Sequence, residues 1–361
     1  MYNKFRKLLR QIFYFYLYAE WFVFDLNKFK RIRNINNLLV VWEGKTIGDL
    51  YNTIGMLNRF NTLYPNINLY FLCKEEIKNF VKNPNIRIIK RNEIKDKQID
   101  AIVLFSYLER KFYKHIKYKI GLGHISMKDF FKKRMELTRM VYPYKDNEPG
   151  VSRMFKCFKA AGFDLDYKLE FYYTKEGEEY AEKFYKKIKR PVIFIHMGNR
   201  LFTSGISAKS WRLNNWFELV NKLIEIYDPT IVFTGVKEEE ESINKTISLV
   251  NNKNLRNVIS FPIETLASLL KRGDLLISID TGIVHVGAQA GIPIVDIYRS
   301  DCKRGWPWTE KKSMVFHPEV CNDCERYNCP EGEPVCVNSI TPEEILSEVR
   351  KWINASEKIL E

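Results

Sequence analysis

Short apolar runs separated by polar turns recur along this chain, and stretches with apolar residues at helical spacing lie between them. Leu38–Trp42 is the first run and reads as a buried strand. Leu50, Ile54, Leu57 and Phe60 then recur at the helical period. Ile67–Leu72, Ile86–Ile89, Ala101–Phe105 and Tyr118–Leu122 read as further strands, with helical stretches at 75–82, 128–140 and 151–161. A charged helix, Glu178–Arg190, stops at Pro191 and is taken as a linker. A second series follows: strands Val192–His196, Ile231–Thr234, Val258–Phe261, Leu275–Ile279 and Ile294–Tyr298, with helices around Trp216–Leu219, Ile263–Leu270 and Ile283–Ala290. Pro342–Ile353 reads as a last helix. Such alternation predicts parallel sheets covered on both faces. The expected division is 34–189 and 190–340 for two Rossmann-like α/β halves, with 1–33 before them and 341–361 after.

Ligands of open α/β sheets bind beyond the carboxyl ends of the strands. Two turns at such ends carry chemistry. Gly48-Asp49 follows the first strand and opens a helix, where Asp49 reads by itself as a helix cap. Asp280-Thr281-Gly282 follows Leu275–Ile279, and His285 sits one turn further on. Backbone N–H groups at Thr281 and Gly282 would face outward from the helix start, the end that attracts phosphate.

Composition narrows the class. The 361 residues suffice for two domains, and 45% apolar with 14% aromatic residues is a globular composition. Lys and Arg number 58 against 44 acidic residues, a net +14. An anionic lipid surface, nucleic acid or plain compositional bias would each account for that balance. No basic run alternates with aromatics as in a nucleic-acid module, so no nucleic-acid partner is expected. No apolar run reaches bilayer-spanning length, and no convincing cleavage site follows the basic start. Residues 4–33 are basic at both ends and aromatic in the middle. A helix of that make-up lies in a membrane interface, or packs on the protein's own core. Cys321, Cys324, Cys329 and Cys336 form C-x2-C-x4-C-x6-C, compatible with a structural zinc, with free thiols or with disulfides.

The D-T-G-x-x-H turn, its small-residue helix, Gly291-Ile292-Pro293, the apolar strand and Trp306-Pro307-Trp308 together resemble the donor site of glycosyltransferase family 9, the heptosyltransferases of lipopolysaccharide synthesis. Gly48-Asp49 is similar to the family's amino-terminal motif, although Gly55 stands where the family often has proline. Lys209-Ser210-Trp211 resembles its lysine–x–tryptophan–proline segment, with Arg212 in the proline's place. Gly235 with Glu239 matches part of a glycine–glycine–proline–x–glutamate turn. The resemblance implies a GT-B fold with a terminal helix packing back across the cleft. It implies Asp49 as catalytic base and Lys209, Glu239, Asp280, Thr281, Gly282 and His285 as donor-binding residues. The bland readings are a surface lysine for Lys209 and a solvated helix start for Glu239. The implied reaction is inverting transfer of a sugar, heptose from an ADP-heptose-type donor, to an anionic lipopolysaccharide inner-core acceptor. No cofactor or metal is expected in catalysis, and the implied location is cytoplasmic, peripheral to the inner membrane. A GT-B-like sugar-nucleotide epimerase and a non-catalytic glycolipid-binding module are the alternatives.

Overall fold

A computed structural model describes residues 34–44, 46–122, 137–141, 148–198, 209–299, 303–321, 329 and 331–357. The amphipathic 1–33 segment and Cys324 lie outside them, as does most of the helix expected at 128–140.

Six strands form the first sheet: β1 Asn37–Val41, β2 Asn68–Leu72, β3 Ile86–Ile88, β4 Ala101–Leu104, β5 Tyr118–Leu122 and β6 Arg139–Val141. Their order is β3-β2-β1-β4-β5-β6, parallel throughout. The second sheet holds β7 Val192–His196, β8 Thr230–Gly235, β9 Leu255–Ile259, β10 Leu275–Ile279, β11 Ile294–Ile297 and β12 Lys312–Val315. Its order, β12-β11-β10-β7-β8-β9, repeats the same topology, again all parallel. Each sheet reverses its winding beside its first strand, between β1 and β4 and between β7 and β10. Those are the crevices where doubly wound folds hold ligands.

The strands read as continuous apolar runs because both faces are covered. On β1, Leu38 and Val40 join the core under helices α1 (Ile47–Leu63) and α2 (Gly150–Ala160), with Phe60, Phe155 and Phe158. Leu39 and Val41 point the other way, toward Ile94, Ile102 and Tyr113. Each such fully buried aliphatic side chain contributes roughly 1.5–3 kcal/mol.

Several expectations give way. Arg139 and Met140 belong to β6 rather than to a helix. Neither β6 nor β12 was legible: β6 has three residues, and β12 is a half-buried edge strand without an apolar run. The charged helix α3 spans Lys175–Tyr185 and is no free linker: Ala181 is buried with Leu266 and Leu270 of helix α6 (Ile263–Leu270). It therefore packs on the second sheet's layer, although sequence order put it with the first half. Helix α4 is Leu213–Tyr227, α5 is Glu240–Val250 and α7 is Gly282–Ala290. The terminal helix α8, Pro342–Glu357, seats Ile345, Leu346, Val349 and Ile353 in one core with Trp216, Leu219 and Leu223 of α4. Its apolar face is thus spent on the second half itself, not on crossing the cleft. An apolar stripe needs a partner, and α4 supplies the nearest one.

Two other elements join the halves. Helices α1 and α7 pack against each other, with Gln289 Nε2 donating to the Tyr51 carbonyl (3.0 Å). The strap after β11 reaches the first half at Trp308, whose Nε1 donates to the Tyr167 carbonyl (2.6 Å) and whose ring lies 5.5 Å from Phe155.

Candidate functional site

The two chemistry-bearing turns meet where α1 and α7 begin. A Cβ at Gly282 would lie 2.9 Å from Ile47 Cγ2, so a side chain there would displace Ile47. Gly48 is equally constrained, because its Cβ would lie 2.5 Å from His285 Cδ2 and 2.8 Å from Nε2. Glycine at both positions lets the helix starts of the two halves touch. Asp49 follows at the mouth, exposed, in the first turn of α1. Its carboxylate accepts from the hydroxyl of Thr46, the N-cap of α1 (2.5 Å). Its backbone carbonyl takes the Thr53 hydroxyl (2.8 Å).

On the other side, Asp280 ends β10, and its Oδ2 holds Lys209 Nζ at 2.7 Å; the same ammonium donates to the Asp280 carbonyl (3.1 Å). Arg299, just past β11, brings its Nε to 4.0 Å from Asp280 Oδ2. Two cations therefore converge beside the start of α7. Gly198 after β7 has φ +56°, and a Cβ would lie 2.7 Å from Ile279 Cδ1 and 3.0 Å from Thr281 Cγ2. A side chain is excluded there by both the left-handed backbone and the close approach. Gly305 of the strap fits between Tyr298 Oη and Asp280 Oδ1.

His285 is 9% exposed. Burial lowers its pKa, the Asp280 and Asp49 carboxylates pull partly the other way, and Lys209 adds to the lowering. The ring is therefore neutral at neutral pH. His196 at the end of β7 is also held below its ordinary value by burial, against an opposing pull from Glu239. Its Nδ1 lies 3.0 Å from Thr234 Oγ1 and 3.1 Å from the Thr234 carbonyl.

The sequence-derived donor residues Lys209, Asp280, Thr281, Gly282 and His285 come together at this carboxyl edge. Glu239 lies at the edge of β8 instead, buried, its Oε2 accepting the Val236 N–H (3.0 Å). It closes its own helix start and neighbours His196. Arg299 went unread because it follows a strand as an isolated cation. Asn52 and His196 likewise carried no local signal. Asp296 on β11 was missed too: it is fully buried, and neither carboxylate oxygen has a hydrogen-bond partner among the described residues. Burial first, then Asp280, hold that carboxyl well above the usual range against the pull of Lys209.

Asp164-Leu165-Asp166 spells a D-x-D triplet, but Asp166 is engaged by Arg59 (3.0 and 2.6 Å). Arg59 lies on α1 about three turns from Asp49, about 15 Å along the axis. Among the described residues no three His, Cys, Asp or Glu side chains gather to hold a metal ion. Cys336 is in the second core, Cys321 packs against it, and Cys329 is half-buried.

A pocket of about 400 Å³ opens on the first half at the carboxyl edge of β2 and β3, lined among others by Glu43, Lys74, Lys78, Lys90 and Arg91. Arg91 NH2 reaches both Glu43 oxygens (2.7 and 2.6 Å) and Lys78 pairs with Glu75. Glu75 and Glu93 line it as well, so the pocket is mixed in charge, with Lys74 and Lys90 outside any salt bridge among the described residues.

The family model for glycosyltransferase family 9 (heptosyltransferase) matches residues 115–334, more than half of the chain. Lipooligosaccharide heptosyltransferase 2 of Campylobacter jejuni is 23% identical over 150 residues, 40% of this chain and 47% of that protein. The chain thus spans about half the length of this curated relative. Among solved structures, the family 9 glycosyl transferase of Veillonella parvula superposes with a TM-score of 0.67 at 17% identity, covering 89% of this chain and 98% of that one. The ADP-heptose LPS heptosyltransferase II of E. coli gives 0.64, also at 17% identity, covering 89% and 99%. These two likenesses are of fold.

Proposed function

The chain belongs to glycosyltransferase family 9, with the two facing Rossmann-like sheets of a GT-B fold, and from that premise we propose that it is an inverting transferase. It moves a sugar, heptose from an ADP-heptose-type donor, onto an anionic inner-core lipopolysaccharide or related glycolipid. The observation that carries this reading is the meeting of Asp49, on the first half, with the Lys209–Asp280–His285 cluster on the second, across two glycines.

Each residue then has a task. Lys209 and the N–H groups at the start of α7 hold the donor diphosphate, and Arg299 adds a second cation nearby. Neutral His285 offers one N–H without adding charge. Asp49 takes the proton of the acceptor hydroxyl as that oxygen attacks the anomeric carbon. The carbon–oxygen bond to diphosphate breaks as the new one forms, and the leaving charge stays with the cations. Lys74 and Lys90, in the mixed-charge pocket of the first half, are the groups that would face an anionic acceptor on the Asp49 side. Incubating the full chain with ADP-heptose and a truncated inner-core lipid tests the reading: the lipid should gain the mass of one heptose. Donor that binds while the lipid keeps its mass would overturn it.

The membrane surface rests on sequence. No helix among the described residues is long and apolar enough to cross a bilayer. The basic, aromatic 1–33 segment supports peripheral docking on the cytoplasmic face of the inner membrane. Deleting it should weaken co-sedimentation with anionic liposomes, each basic group being worth roughly 1 kcal/mol near such a surface. Equal sedimentation of the shortened and full chains would refute the anchor.

Structural zinc is supported by the spacing of Cys321, Cys324, Cys329 and Cys336 alone. Elemental analysis should find about one zinc per chain, lost in Cys324→Ser. Metal-free protein with all four thiols titratable would dispose of the zinc.

A further inference from the structure

We propose that Asn52, on the base-bearing helix α1, is a positioning residue that fixes the proton of the donor-half His285 on Nε2. The inference rests on the transferase reading above. Asn52 is 5% exposed, and its Nδ2 lies 3.4 Å from His285 Nδ1, across the junction of the halves. A neutral imidazole has one N–H and one bare nitrogen, and the partner of one nitrogen decides which carries the proton. With the Asn52 amide turned so that Nδ2 faces the ring and Oδ1 has no partner among the described residues, Nδ1 is the acceptor and, in this scheme, the proton sits on Nε2. The charged groups acting on the ring agree. Asp49 of α1 and Asp280 at the entry to α7 both favour positive charge, and Lys209 opposes it. Nε2 lies on the Gly48 side, next to the turn that carries Asp49, so a proton there is drawn by that carboxylate.

The consequence is functional. Nε2 has no hydrogen-bond partner among the described residues, so its N–H is free to meet an oxygen of the donor. The contact exists only while α1 and α7 are packed together. Asn52 therefore makes the donor-half histidine correctly protonated only when the half carrying Asp49 is in place. Asn52 touches neither donor nor acceptor in this scheme; it acts through His285.

The test reads the tautomer directly. The full chain, labelled with ¹⁵N-histidine, is examined by NMR across the neutral range, and His285 is assigned by the loss of its signals in His285→Gln. Wild type should show a neutral ring protonated on Nε2. Asn52→Asp, of nearly the same shape, puts an acceptor at Nδ1 and should move the proton there or hold the ring charged. Transfer should then fall by roughly 10²-fold in kcat, the order for losing one donor to developing charge, with donor KM little changed. Asn52→Ala should let both tautomers coexist and lose less. A thermal melt near that of wild type shows that these variants fold. A wild-type ring protonated on Nδ1 overturns the proposal. So does an Asn52→Asp protein that keeps both the Nε2 proton and its kcat. Failure of the wild type to transfer any sugar would instead count against the transferase reading, and the tautomer measurement would still decide the role of Asn52.

Discussion

Asp49→Asn should leave nucleotide-sugar affinity nearly unchanged and cut transfer by roughly 10²–10⁴-fold, the usual span for losing a general base. The reasoning starts from position. Asp49 is exposed at the mouth, on the half opposite Lys209 and Asp280, and the proposed mechanism gives it no part in holding the donor. Asparagine keeps the shape and can still accept the Thr46 hydroxyl, which the carboxylate takes at 2.5 Å. What it loses is the capacity to take a proton. A purely structural role would behave otherwise: Thr46, not Asp49, is the N-cap of α1, and losing one acid from the first turn would cost about 1 kcal/mol or less and leave the rate intact. Lys209→Ala provides the contrast. Diphosphate is present in the ground and transition states alike, so that variant should lose donor affinity as well as rate. Single-turnover rates and donor titrations on both variants separate the two roles. An Asp49→Asn enzyme with near-normal transfer would remove Asp49 from the mechanism.

Gly48→Ala should be nearly as damaging, although it adds one methyl group and touches no charge. That methyl would sit 2.5 Å from Cδ2 of the buried His285 ring, so the ring or the two helices must shift. Overpacking of this kind costs about 1–3 kcal/mol of stability. The kinetic cost is larger, because a displacement near 1 Å between reacting groups can cost 10²-fold in rate. The lesion is specific, and a second substitution reveals it. Removing the ring in Gly48→Ala/His285→Ala relieves the clash, so the melting temperature of the double variant should match that of His285→Ala alone. Neighbouring sites are expected to be non-additive in this way. Additive losses in the melting temperature would show that the glycine is not there to admit the histidine.

Much of this protein was written locally. The apolar runs at Leu38–Trp42, Val192–His196 and Leu275–Ile279 are strands because both faces of a parallel sheet are buried, which makes the run continuous and legible. Asp49, Thr281 and Gly282 were readable because each lies within a few residues of a strand end, where the chain itself announces a turn. Lys209 was readable through its segment, and the structure places it against Asp280, 71 residues away.

The rest required the fold. Asn52 meets His285 across 233 residues, and nothing near either one signals the other. Arg299 and Asp296 acquire meaning only once sheet order lays β11 beside β10. The packing of α8 followed from which apolar surface α4 leaves open, and α3 joined the second layer for the same reason. Periodicity reports that a face will be buried, since burial of apolar area is favourable wherever it occurs. It does not report against what, because the hydrophobic effect carries no direction. Glycine shows the division most clearly. The sequence marks Gly48 as a turn residue, while only the tertiary structure supplies the imidazole that forbids anything larger there.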